Sequence, residues 1–188
     1  WICSLDLAYN PLPAGALNAL VAALQEPMRH LSISHVACGD NAGLFRTPTT
    51  RVFGTVFGQR PLPLCSLSMA GNDVEDTGLR ALADSLSVAG APSLEELDLA
   101  SNRLKDGNLL NKVLLGCSGQ RMQSLNLEAN ELTDIAVIAL AAGVAVSPCL
   151  RRLNLARNRF GDGGAEALAQ AVQHQGSVVA QETESSPC

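Results

Sequence analysis

The chain has 188 residues, 47% of them hydrophobic and 16% charged, with a formal net charge of −5. That balance suits one or two globular domains with a sizeable core and excludes disorder for the body of the chain. A pI near 5.1 without any Lys/Arg cluster excludes general nucleic-acid binding, and the longest uncharged apolar run, 135–146, is too short to span a bilayer. With 30 Leu and 26 Ala against one Trp, one Tyr and four Phe, the core must consist of many small, similar layers.

Taken in chain order, the first strand-like unit is Leu5-Asp6-Leu7-Ala8-Tyr9-Asn10, with Leu12 two residues beyond the Asn. A helical pattern follows over Ala14–Leu24, with Pro13 at its first position, where a missing amide proton is tolerated. The second unit, Leu31-Ser32-Ile33, carries Val36 where the Asn is expected. An irregular stretch, 37–63, then holds several Gly and Pro. It is expected to be a loop from Cys38 to Thr50 and a short helix over Val52–Phe57, with Phe45, Phe53 and Phe57 packing over the gap left by Val36.

Four regular units complete the chain: Leu67-Ser68-Met69-Ala70-Gly71-Asn72, Leu97-Asp98-Leu99-Ala100-Ser101-Asn102, Leu125-Asn126-Leu127-Glu128-Ala129-Asn130 and Leu153-Asn154-Leu155-Ala156-Arg157-Asn158. They begin at 67, 97, 125 and 153, steps of 30, 28 and 28 residues. Helical apolar spacing follows over Thr77–Leu86, Asp134–Val144 and Gly163–Val172. Asp76, Asp106, Thr133 or Asp134, and Asp162 stand where N-caps belong. A single repeat domain of about six units is expected over 1–174, and a polar, disordered tail over 175–188.

Each motif position has a physical reason. Both leucines of the LxL unit point into the core of a period-two strand. The late Asn sits where the chain leaves the strand, and its amide can satisfy backbone groups of neighbouring turns. Stacked units should therefore carry an asparagine ladder of Asn10, Asn72, Asn102, Asn130 and Asn158.

The LxxLxLxxNxL pattern over residues 2–174 resembles the ribonuclease-inhibitor-like leucine-rich repeats of cytosolic inhibitors, Ran GTPase-activating proteins and the sensor regions of NOD-like receptors. The resemblance implies an α/β solenoid, a horseshoe with parallel strands on the concave face and helices on the convex one. Side chains alternating away from the core leucines should then form the concave surface. The candidate partner-binding set is Asp6, Ser32, Ser68, Glu96, Asp98, Asn126, Glu128, Arg152 and Asn154.

These residues point to a non-catalytic interaction module that binds another protein, favouring a basic partner segment next to its acidic strip. The alternative is a GTPase-activating module similar to the Ran activators, although the tail holds only Glu182 and Glu184 of the long acidic stretch those proteins carry. No nucleophile elbow, P-loop or dinucleotide fingerprint is present, so neither enzymatic activity nor a cofactor is expected. His30, His35, Cys38 and Asp40 match no zinc spacing. The six cysteines at 3, 38, 65, 117, 149 and 188 are scattered, which suits reduced thiols and a cytoplasmic location. The apparent absence of capping units is read as a fragment of a longer array, an incomplete chain, or association through the ends.

Overall fold

The computed structural model describes residues 2–10, 12, 28–36, 64–89, 94–116 and 121–184. Six three-residue strands form one parallel sheet in chain order: β1 Ser4–Asp6, β2 His30–Ser32, β3 Ser66–Ser68, β4 Glu96–Asp98, β5 Ser124–Asn126 and β6 Arg152–Asn154. Leu5, Leu31, Leu67, Leu97, Leu125 and Leu153 are aligned across all five pairings. Helices α1 Asp76–Ala89, α2 Gly107–Gly116, α3 Asp134–Ala145 and α4 Asp162–Glu184 pack side by side behind the sheet. The chain is an α/β leucine-rich repeat solenoid with an open parallel sheet. The expected helix at Ala14–Leu24 and the irregular stretch at 37–63 lie outside the described residues.

The two core positions of each unit behave as the period-two reading requires. Leu31, Leu67, Leu97 and Leu125 are buried, as are Ile33, Met69, Leu99 and Leu127. Behind them Leu79, Leu82, Ala83 and Leu86 of α1, Leu110 and Val113 of α2, and Val137 and Leu140 of α3 close the core. At the two sheet edges the same positions, Leu5 and Leu7, then Leu153 and Leu155, are only partly buried.

The ladder forms in the middle of the sheet. Asn102 Oδ1 accepts the backbone amides of Asn72 and Val74 from the preceding unit, at 3.1 and 2.9 Å. Its Nδ2 donates back to Met69 O and within its own unit to Leu99 O and Ala100 O. Asn72, Asn130 and Asn158 repeat the arrangement, accepting from Val36, Leu104 and Leu132. Asn10 is exposed, and its Nδ2 donates to its own Leu7 O and Ala8 O.

The residue before each ladder position turns the chain through a left-handed conformation: Tyr9, His35, Gly71, Ser101, Ala129 and Arg157 all have φ between 52° and 65°. Only one of the six is glycine, so the others hold a conformation that disfavours a Cβ. Backbone bonds to the next unit hold it in five of the six, the amides of Tyr9, His35, Gly71, Ser101 and Ala129 donating to Ser34 O, Ala70 O, Ala100 O, Glu128 O and Ala156 O.

The helix starts correct part of the sequence reading. Asp106 does cap α2, accepting the amides of Asn108 and Leu109. Asp76 and Asp134 act instead across units: Asp76 Oδ1 accepts Lys105 N and Asp106 N, and Asp134 Oδ1 accepts Gly161 N and Gly164 N. Each therefore ties one helix start to the next. Thr133 occupies the N-cap of α3 without a side-chain capping bond. The segment expected as a polar tail differs too, because α4 continues as helix to Glu184. Its sequence over 175–184 holds no Pro and several good helix formers. Gln175 from that segment donates to Ser147 O and Val144 O, adding a side-chain tie from α4 to the turn that follows α3.

Candidate functional site: the concave face

The pleat sends the residues flanking each core leucine to the opposite face of the sheet. Three rows result, running across the strands in register. The first is Ser4, His30, Ser66, Glu96, Ser124 and Arg152; the second is Asp6, Ser32, Ser68, Asp98, Asn126 and Asn154. The third, two residues further on, brings Ser34 and Glu128 among small alanines. Asp6, Ser32, Ser68, Glu96, Asp98, Asn126, Glu128, Arg152 and Asn154 thus share one face. A groove of about 700 Å³ lies over β3 to β6, bounded by Ser66, Ser68, Glu96, Asp98, Asn126, Arg152 and Asn154 among others.

The electrostatics divide this face in two. Over β4 to β6 two acids, Glu96 and Glu128, have basic partners. Arg152 reaches across β5, where Ser124 is small, and its Nη2 donates to Glu96 Oε1 at 3.0 Å. Glu128 accepts Asn154 Nδ2 at 3.1 Å and lies 3.6 Å from Arg157 Nε. These pairs are exposed and individually worth at most about 1 kcal/mol, so they set charge distribution more than stability.

The other two carboxylates, Asp6 and Asp98, are held by neutral donors. Asp98 accepts Ala100 N at 3.0 Å and the Ser68 hydroxyl at 3.2 Å, while Ser68 Oγ lies 2.6 Å from Ser34 Oγ. Asp6 accepts Ala8 N at 2.9 Å. That backbone amide, then the Ser32 hydroxyl, holds the Asp6 carboxyl below its usual range. Among the described residues neither Asp6 nor Asp98 forms an ion pair.

Four of the nine candidate residues have a structural task that the sequence reading did not assign. Asp6, Asp98, Asn126 and Asn154 each accept the amide two residues on, closing a turn at the strand end. The signal was present: Asp or Asn at the last strand position, before a turn, marks a side chain able to bond its own backbone. The reach of Arg152 over Ser124 to Glu96 was also missed, because spacing alone does not show which side chains cross a strand.

Basic residues elsewhere sit on the rim. Asp73, Arg103, Glu131 and Arg159 follow the ladder asparagines in successive units. Arg103 pairs with Asp73 at 3.1 Å and Arg159 with Glu131 at 3.2 Å. At the other end of the sheet the Tyr9 and His35 rings stack 4.6 Å apart with 7° between their planes. The His35 ring lies over Gly71, so close that any Cβ there would collide with it. His30 begins β2 and is exposed, whereas Cys38 and Asp40 fall outside the described residues. Among the described residues Cys3, Cys65 and Cys149 form no disulfide. Among the described residues no helix is long and apolar enough to cross a membrane.

Comparison with known proteins agrees with this geometry. The profile of the family described as Leucine Rich repeat matches residues 64–83, 90–107 and 146–169. NACHT, LRR and PYD domains-containing protein 12 of Mus musculus is 27% identical over 91% of the chain. The Sus scrofa ribonuclease inhibitor is 26% identical over 92% of it. The chain spans 18% of the first relative's length and 43% of the second's. Among solved structures, the tropomodulin C-terminal domain of Caenorhabditis elegans superposes with a TM-score of 0.62 at 13% identity, covering 93% of this chain and all of that one.

Proposed function

Because the chain is a leucine-rich repeat protein of the ribonuclease-inhibitor-like kind, we propose that it is a non-catalytic interaction module whose concave face docks a partner protein in the cytoplasm. The observation that carries this reading is the arrangement of that face. Six strands in register present side chains over a strip about 25 Å long, with a groove large enough to seat a helix or extended segment. The partner segment is basic. Its charges are best met by Asp98 and Asp6, whose carboxylates accept only neutral donors, rather than by Glu96 and Glu128, which Arg152 and Arg157 already engage.

The test is capture of partners by the wild-type chain, by an Asp6→Lys/Asp98→Asn variant, and by a convex-face control, Lys112→Glu. Specific partners should be lost with the concave variant, kept with the control, and bind more slowly as salt rises. Partners that bind all three chains equally rule out concave docking. A panel of small GTPases serves as the second arm: their hydrolysis rates should not change when the chain is added, and an acceleration would replace this reading with an activating one.

A further inference from the structure

We propose that the segment taken by the concave groove is extended and charge-split, placing a basic side chain on Asp98 and an acidic one on Arg151. This rests on the concave-docking reading above and names the chemistry of the segment that the face accepts. Among the described residues the groove over β3 to β6 is lined by four charged side chains, Glu96, Asp98, Arg151 and Arg152. Two of these cancel, because Arg152 Nη2 donates to Glu96 Oε1 at 3.0 Å across Ser124. Asp98 and Arg151 are left, and among the described residues neither forms an ion pair.

Asp98 is held in place by Ala100 N and the Ser68 hydroxyl, neutral donors that leave its charge uncompensated. Arg151 precedes β6, in a row with Glu95 and Gln123. In that row Gln123 Nε2 donates to Glu95 Oε2 at 3.0 Å. A neutral amide thus engages the carboxylate, and Arg151 stays exposed. The groove therefore carries one uncompensated charge of each sign at opposite corners. A wholly basic segment would set a cation against Arg151, a wholly acidic one would set an anion against Asp98, and either juxtaposition costs affinity.

Strand register fixes the spacing of the two charges. Asp98 is aligned with Asn126 and, through it, with Asn154, and Arg151 lies three residues before Asn154. Two strand spacings of about 4.8 Å and three residues of about 3.3 Å put the two positions about 14 Å apart, along a diagonal of the groove. An extended chain covers that span in about four residues and lies within the groove. A helix of the same length, about 10 Å across, displaces about 1,100 Å³, so in a groove of about 700 Å³ it would stand partly outside. The diagonal passes over Ser124, whose small side chain leaves the floor low. The Glu96–Arg152 pair crossing there is exposed on both sides, and an exposed pair is displaced at little cost.

Selection of a displayed library of random linear peptides on the wild-type chain tests this, followed by affinity measurements on the enriched peptides. Those peptides should carry Lys or Arg about four residues from Asp or Glu. Neutralising the basic residue of a peptide should weaken its binding to the wild type about fivefold, the size of an exposed ion pair, and leave its binding to Asp98→Asn unchanged. Neutralising the acidic residue should act in the same way against Arg151→Gln. Both variants should fold, as urea unfolding will show. Asn126 and Asn154 already close with an amide the turn that Asp98 closes, and Arg151 bonds the neighbouring unit through its backbone. Enriched peptides that are basic alone and indifferent to Arg151→Gln overturn the charge-split and leave concave docking standing. Peptides indifferent to both variants bind away from the groove and count against both readings. A library that yields no enriched peptide overturns this proposal, while concave docking is judged separately by the partner capture.

Discussion

Two stretches of one sheet, β3–β5 and β1–β2, follow the same sequence pattern and are fastened differently. In the first, Asn72, Asn102 and Asn130 are buried at 2%, 6% and 5% exposure, and each stitches its own turn to the preceding unit through both atoms of its amide. In the second, Val36 stands at the ladder position. The Leu12 amide, whose equivalents Val74 and Leu104 reach an asparagine, donates instead to the Val36 carbonyl at 3.2 Å. The strand pairing survives, with Leu7 N bonded to Ser32 O and Tyr9 N to Ser34 O. Strand register therefore depends on the leucines and the backbone, while the buried asparagines add a second, side-chain fastening between layers. Where that is missing, aromatic stacking of Tyr9 on His35 takes over part of the contact.

The largest expected effect comes from breaking the strong half. Asn102→Leu leaves the Asn72 and Val74 amides buried without partners, and should cost about 2–4 kcal/mol. Asn10→Leu, at an exposed site bonded only to its own turn, should cost under about 0.5 kcal/mol. Urea unfolding midpoints compare the two directly, and equal shifts would remove the distinction between the halves.

A smaller loss tests the junction between them. Gly71→Ala places a Cβ at a φ of 65° and against the His35 ring. It should cost about 1–2 kcal/mol and unstack His35 from Tyr9, visible as a change in the near-ultraviolet signal of the single Tyr. Val36→Asn works in the opposite direction. Restoring the missing amide beside Leu12 N and Leu7 O should stabilise the β1–β2 junction by about 1 kcal/mol, read as slower exchange of the Leu12 amide.

The smallest effect is acid sensitivity at β1. Hydrogen bonds from Ala8 N and Ser32 lower the Asp6 pKa below its ordinary value of 3.8. A depressed folded-state value means that the contribution is fully present above 3.8 and is lost as pH falls through the lower folded value. A carboxyl titration followed by NMR should place Asp6 below 3.8, and Asp6→Asn should flatten the acid limb of the stability curve slightly.

Most of the architecture was legible in the sequence because the leucine-rich motif encodes burial directly: Leu97 and Leu99 can only face inward, and Asn102 is the side chain that serves a buried turn. The helices behind the sheet followed from apolar spacing. The roles of Asp76 and Asp134 did not, since a cap within one helix and a tie to the next unit look identical along the chain. The concave face was legible as a set of residues but not as an electrostatic pattern. Which of Glu96, Asp98 and Glu128 meets an arginine depends on how far Arg152 and Arg157 reach over their neighbours, and spacing along the sequence does not determine that distance. Gly107 illustrates the same limit. An added Cβ there would strike the Ala136 carbonyl of α3, a close approach that only the packed helices reveal.

The difference in fastening is tested most directly by native-state hydrogen exchange measured residue by residue. If buried asparagines hold the layers together, the amides of Val74, Leu104 and Leu132, which donate to Asn102, Asn130 and Asn158, should exchange only through global unfolding. Leu12, which lacks such a partner, should exchange through local opening at a lower free energy. Equal protection of Leu12 and Leu104 would contradict the account, because a backbone carbonyl would then fasten a layer as firmly as the ladder does.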